Sequence, residues 1–269
     1  MTLGNSFMKQ KQFINHVVER IKDDKNVVGL AVAGSFITNE VDEFSDVDLI
    51  LVTVDKVSDD FSKMEQYAKS FGDYLNGFTG EHVGEKRVLI CLYDNPLLHV
   101  DIKFLTLDEF QNRIENPIIF FDRENRLKEV INSTTAEWPG LDFQWIEDRF
   151  WTWVHYATLK LGRGENFEAL DFLSFVRTFV ISPMLQIRNG KLPRGLRKVE
   201  INFPKSDLDK LIATVPAYKI ESIFDSLENT VSLYIELRKS IFPSTINVRT
   251  QTERRTLEYL KEIKELRLG

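Results

Sequence analysis

The chain has 269 residues, 43% of them hydrophobic and 28% charged, with a formal net charge of −6 at neutral pH. That length suits one large domain or two modest ones, and the composition is that of a globular protein. The acidic balance argues against a grip on long nucleic acid, which needs a basic face, and the want of an eighteen-residue apolar run argues against a membrane span.

The first residues, MTLGNSFMKQKQF, lack the charged-then-apolar pattern of a secretory signal, so the expected compartment is the cytosol. Cys91 is the one cysteine, which excludes an internal disulfide framework and a cysteine-rich zinc site. It lies in the apolar run RVLICLY and reads as a buried hydrophobe. His16, His82, His99 and His155 show no metal-ligand spacing.

Apolar residues at 13, 14, 17, 18 and 21 predict an amphipathic helix over 13–21. VVGLAVAG (27–34) predicts a short strand ending in glycine, and VDLILVTV (47–54) a strand apolar enough to be central in a sheet. FSKMEQYAKSFGDYL (61–75) predicts a helix. RVLICLY (87–93) and LLHVDIKFLT (97–106) predict strands separated only by Asp94-Asn95-Pro96, hence an antiparallel hairpin. A helix over 107–114 should stop at Asn116-Pro117. STTAEWPG (133–140) has loop composition and marks a boundary. Beyond it the period is helical: 143–164 with Gly162 and Gly164 as its stop, 166–190 kinked or divided by Pro183, then 217–241 and 250–267, with a loop and short turn around LRKVEINFPKSDL. The expected fold class is α+β. A domain over 1–135, a small mixed sheet with flanking helices, precedes a helical bundle over 141–269. A cleft between two such parts is a usual place for a ligand.

Three features carry chemistry. Gly34-Ser35 ends the first strand, where glycine lets the backbone turn and approach a ligand, and serine can cap the short helix FITNE. Such a turn suits an anion. Asp46 and Asp48 open the second strand two residues apart and so share a side, with Val47 turned into the core. A divalent cation would offset their repulsion; taken alone, the pair also fits a solvated loop end. Asp101 sits inside an apolar strand, on the face of His99 and Lys103, and needs a partner there. Lys103 is one; a metal shared with Asp46 and Asp48 is another.

In combination, Gly34-Ser35, Ser45-Asp46-Val47-Asp48 and Asp101 resemble the nucleotidyltransferase superfamily, the family of DNA polymerase β. The resemblance covers about residues 27–105. The helical part, with WTWVHYATLKLGRGENFEALDFLSFVRTFVISPMLQIRNGK, resembles the C-terminal domain of the aminoglycoside adenylyltransferases, in particular the streptomycin 6-adenylyltransferase-like group. That likeness is mostly a hydrophobic pattern.

The resemblance implies transfer of a nucleoside monophosphate, AMP from ATP, to a hydroxyl of a small-molecule acceptor. It implies two Mg2+ ions held by Asp46, Asp48 and Asp101, one bridging the triphosphate and one lowering the pKa of the acceptor hydroxyl. Gly34 and Ser35 would hold the β,γ-phosphates, with Ser45 beside them. Lys160, near the glycine end of the first long helix, is a candidate further phosphate contact or a helix-end lysine favoured by the dipole. The base is Asp101 or a glutamate of the helical part; Glu165 and Glu168 are available, both also suited to the first turn of a helix. Trp145, Trp151, Trp153, Tyr156, Phe172, Phe175 and Phe179 are spaced for core packing, with one or two left to stack on a ring of the substrate. The acidic charge suits a cationic acceptor. An enzyme modifying a protein or RNA, as in toxin–antitoxin pairs, would call for a basic surface. A regulator that only binds nucleotide would not need three carboxylates.

Overall fold

A computed structural model describes residues 8–269. The chain divides into two compact units between Pro139 and Gly140.

In the first unit, helix α1 (Met8–Ile21) buries Gln10, Ile14, Val17 and Ile21 along one stripe. Strand β1 (Val27–Val32) is buried throughout, and β2 (Val47–Thr53) alternates at its start. Helix α2 (Phe61–Ser70) begins where the Asp60 carboxylate accepts from the Ser62 and Lys63 amides, satisfying two donors that the first turn leaves orphaned. Strands β3 (Tyr74–Gly80), β4 (Glu85–Tyr93) and β5 (Leu98–Thr106) follow. Thr106 and Glu109 form a reciprocal cap on the short helix α3 (Leu107–Phe110). Strand β6 (Ile118–Asp122) and helix α4 (Arg126–Ser133) complete the unit.

The six strands form one mixed sheet in the order β3-β4-β5-β2-β1-β6. The β4–β5 hairpin is antiparallel, as its three-residue link requires, and β2 lies inside the sheet, parallel to β5 and antiparallel to β1. Val47, Leu49 and Leu51 of β2, with Val100, Ile102 and Phe104 of β5, face a core shared with α1 and α2. The opposite face has a smaller apolar cover in which Val52 and Leu105 meet Phe110 of α3 and Leu127 of α4. Asp48 and Asp101 stand on this second face, four residues before Val52 and Leu105. Cys91 is buried, and desolvation pushes its thiol up to about 12, so it is an inert core residue.

Two expectations are corrected. The helix over 61–75 ends at Ser70, and Tyr74 already belongs to β3. Neither β3 nor β6 was expected. β3 carries two glycines and an asparagine, which are poor strand formers, and β6 is five residues long and follows a proline. The helix over 107–114 is a single turn.

The second unit is helical: α5 (Phe143–Arg163), α6 (Asn166–Val176), α7 (Ser182–Arg188), α8 (Val199–Asn202), α9 (Lys205–Ile212), α10 (Ile220–Ile241) and α11 (Thr250–Leu268). Asp142 caps α5 at the Trp145 amide, and Gly164, at φ 79, closes it in the left-handed conformation that glycine adopts without strain. Between α6 and α7 the backbone widens to π-helix over Arg177–Ile181. Pro183, which has no amide hydrogen to give the carbonyl one turn back, accounts for this local unwinding. The run Asn166–Arg188 is long and apolar enough by length and composition to cross a membrane, contrary to the expectation from the sequence. Phe172, Leu173, Val176, Val180, Ile181, Met184 and Leu185 are buried in the unit's core, which is what this apolarity serves. Trp151 and Phe172 are buried, but Trp145, Tyr156, Phe175 and Phe179 are exposed. Trp145, Trp153, Phe175 and Phe179 make a surface ladder with ring centroids 5.4, 5.3 and 5.1 Å apart, so spacing alone overstated how many of these rings are core.

Candidate active site

The approach to the site starts where β1 ends. The Ala33 amide donates to the Asp48 carbonyl at 2.9 Å, tying the end of β1 to the start of β2. Gly34 follows at φ 63 and opens a 3₁₀ turn over Gly34–Phe36. A Cβ on Gly34 would lie 1.9 Å from Asp48 Oδ2, so the glycine backbone sits directly against the carboxylate. Gly34→Ala is therefore expected to combine left-handed strain of about 1–2 kcal/mol with displacement of Asp48. Activity should fall on the order of 10²-fold, as for a misplaced reacting group, and steady-state kinetics against the wild type would check it.

Ser35 is placed differently from the expectation. It caps no helix and does not face outward; it is buried within the 3₁₀ turn, and its hydroxyl has no hydrogen-bond partner among the described residues. A buried hydroxyl left without a partner is costly, and such a group calls for an external acceptor or donor.

The loop before β2 is held by its own polar groups. The Ser45 hydroxyl donates to Asp42 Oδ1 and accepts from the Asp42 amide, each at 2.9 Å, while the Phe44 amide donates to Asp42 Oδ1 at 3.0 Å. Ser45 is thus a turn residue whose hydroxyl is engaged within the loop. Gln10, fully buried on α1, adds a clamp that was not anticipated: its Nε2 donates to the Asp42 and Ser45 carbonyls at 3.0 and 2.9 Å. Its sequence signal is a polar residue in line with Ile14, Val17 and Ile21.

On the sheet, Asp48 and Asp101 are register partners across the parallel β2–β5 ladder. Their flanking residues Val47 and Val100 are fully buried, so register slippage would expose the core, and the carboxylate pairing follows. Asp101 Oδ1 lies 2.9 Å from His99 Nε2. Burial pushes the Asp101 carboxyl above its ordinary value, His99 pulls it down, and the charge of Asp46 pushes it up again. Asp46 is therefore near enough to be felt at Asp101. Among the described residues, no three acidic, histidine or cysteine side chains close into a metal cage. The donors nonetheless fit a hard divalent cation: they are all carboxylate oxygens, two of them on adjacent strands, beside a backbone cradle at Gly34 and the unpartnered Ser35 hydroxyl.

Lys103 is not the partner of Asp101. Its ammonium pairs with Glu85 at 2.9 Å, and Arg87 grips the same carboxylate at 2.8 and 2.7 Å. Arg87 and Lys103 together hold the Glu85 carboxyl down, from an ordinary 4.5 to about 2. A carboxyl lowered on folding stabilises the folded state fully above its unfolded pKa and loses that contribution as pH falls through the folded one. The stability of the first unit should therefore drop as pH falls from about 4.5 towards 2. Glu85→Gln should flatten that segment of a plot of urea-unfolding stability against pH.

Lys160, Glu165 and Glu168 belong to the second unit. Lys160 pairs with Glu165 at 2.6 Å and lies over the Tyr156 ring, and Glu168 accepts from the Tyr156 hydroxyl at 2.7 Å. All three are engaged with one another's neighbourhood at the α5–α6 turn.

Residues 14–131 match a family model described as a nucleotidyltransferase domain. No curated protein matches the chain. Among solved structures, an aminoglycoside 6-adenyltransferase from Bacillus subtilis is similar at 13% identity and a TM-score of 0.40, covering 95% of this chain and 98% of that one. A STING-associated CdnE c-di-GMP synthase from Capnocytophaga granulosa is similar at 14% identity and a TM-score of 0.27, covering 88% and 82%.

Proposed function

We propose that this chain, whose residues 14–131 match a family model described as a nucleotidyltransferase domain, transfers AMP from ATP, with Mg2+, to a hydroxyl of a small cationic acceptor of aminoglycoside-like chemistry. The observation that carries the reading is the level pairing of Asp48 with Asp101, with the Gly34 backbone laid against Asp48.

In this reading Asp46, Asp48 and Asp101 hold the metal, which when bound neutralises charge building on the phosphates and acidifies the acceptor hydroxyl. Gly34 and Ser35 receive the phosphates. Gly34 lets the main chain lie against the Asp48 carboxylate, and the Ser35 hydroxyl gains the partner that the described residues do not supply. The acceptor oxygen bonds to the α-phosphorus as the bond to the pyrophosphate oxygen breaks. The hydroxyl proton passes to Asp101, whose burial makes its carboxylate a stronger base than an exposed one. Glu165 and Glu168 serve less well as bases because Lys160 and Tyr156 already occupy them. The rest of the catalysis is positioning.

The acceptor class rests on charge: a protein of net charge −6 attracts a polycation and repels an anionic macromolecule. Incubation with Mg2+, labelled ATP and a panel of aminoglycosides should yield adenylylated product and pyrophosphate in equal amounts. No turnover with any acceptor would sink the aminoglycoside reading. No pyrophosphate with any nucleoside triphosphate or amine-bearing acceptor would sink the enzymatic one.

A further inference from the structure

His99 and Asp101 are two residues apart on β5, so their side chains stand on the same face of the sheet. An ionised carboxylate can only accept, so the 2.9 Å contact between them is His99 Nε2–H donating to Asp101 Oδ1. Packing does not impose this contact, because the His99 side chain is 51% exposed. None of the other groups beside Asp101 in the sheet donates to it. Asp48, level with it on β2, carries a second carboxylate; Ile90, level with it on β4, is apolar; Lys103, next on the same face, is directed to Glu85. Asp101 therefore stands among groups that repel it or ignore it, and one exposed imidazole holds it.

We infer that His99 is a positioning residue for the site: by donating to Oδ1 it fixes the Asp101 carboxylate beside Asp48 and leaves Oδ2 as the oxygen Asp101 offers to a cation. The inference rests on the metal-binding role given to Asp48 and Asp101 in the proposed function. Its physical basis is that three carboxylates brought together without a cation rotate apart unless something holds them. A donor behind a carboxylate ligand orients it, and loss of such a donor typically weakens metal affinity by roughly 10–100-fold. The bond is charge-assisted and so stronger than a neutral one.

Mn2+ binding to the nucleotide-free protein, titrated by electron paramagnetic resonance, tests it on the wild type and on His99→Ala, His99→Gln and Asp48→Asn. Circular dichroism would confirm that all four are folded, as expected for a half-exposed strand position. His99→Ala should weaken Mn2+ affinity by roughly 10–100-fold. His99→Gln, whose side-chain amide can donate from a similar distance, should recover most of the loss. If His99→Ala binds like the wild type while Asp48→Asn is weakened, the role of His99 falls and the metal reading stands. Equal losses in His99→Ala and His99→Gln would overturn donation as the cause. If the wild type shows no saturable binding, or Asp48→Asn loses none, the metal reading falls and takes the His99 role with it.

Discussion

Asp48→Asn is expected to abolish nucleotidyl transfer while leaving the fold intact. The backbone of Asp48 is held by β-ladder bonds and by the Ala33 amide, neither of which the substitution touches. The buried neighbours Val47 and Leu49 keep β2 in register. Asparagine has nearly the same shape, so the close approach of Gly34 survives. What is lost is one negative charge at the point where Asp48 and Asp101 stand level. Electrostatic groups aimed at a developing charge are worth about 10²–10³-fold each, and a metal ligand more, so a fall of at least about 10³-fold in pyrophosphate release is expected. Asp101→Asn should behave alike in turnover. Retention of turnover within about tenfold in Asp48→Asn, below the worth of one such group, would remove it from the site. Parallel measurements on Glu165→Gln and Glu168→Gln, expected to keep most of the activity, separate Asp101 from them as the base.

The frame of this site was legible because it is written in residues that oppose their surroundings. Asp101 inside LLHVDIKFL and Asp46-Val47-Asp48 at the head of VDLILVTV break an apolar pattern, and strand alternation alone puts each on the face away from the core. That the two strands are neighbours and parallel could not be read, because parallel pairing joins segments with no turn between them. The structure pairs β2 with β5 in parallel, and their register makes Asp48 and Asp101 level. The turn bonds of Ser45 were not foreseen because its neighbour Asp42, three residues earlier, was not weighed as its partner. Gln10 was passed over because the expected helix began at residue 13, whereas α1 begins at Met8 and carries Gln10 on its buried stripe. The pairing of Lys103 with Glu85 depends on β4 and β5 lying side by side, and its detail is set by side-chain geometry beyond any spacing rule.

The same blind spot, a polar residue on a buried stripe, points to the largest stability effect expected in the second unit. Glu147 falls in line with the buried Ile146, Phe150, Trp151 and Val154 of α5 and is itself fully buried. Its carboxylate accepts from Trp151 Nε1 at 3.2 Å, the Tyr234 hydroxyl at 2.5 Å, Arg238 Nη1 at 3.2 Å and the Arg249 amide at 2.9 Å. Arg238 bridges on to Glu253 at 2.8 Å. One carboxylate thus joins α5 to α10 and to the start of α11, beneath the stacked rings of Phe150 and Tyr234, whose centroids are 3.5 Å apart. Burial and the Glu147 bond push the Tyr234 phenol above its ordinary range, so it stays a donor throughout the usual pH range. Glu147→Ala would leave the part-buried Arg238 cation with Glu253 as its remaining partner and remove the acceptor for two buried donors, Trp151 Nε1 and the Tyr234 hydroxyl. Breaking one side of a buried charge pair costs about 3–5 kcal/mol, against which a domain's whole stability is about 5–15 kcal/mol. Urea unfolding followed by far-UV circular dichroism should show the second unit losing most of its stability. Arg238→Met and Glu253→Gln together with Glu147→Leu should recover part of it, because replacing the three charged groups of the network leaves none of their charges unpaired. A Glu147→Ala protein that unfolds within about 1 kcal/mol of the wild type, the range of an ordinary surface pair, would show that water takes over these bonds and that the network holds nothing together.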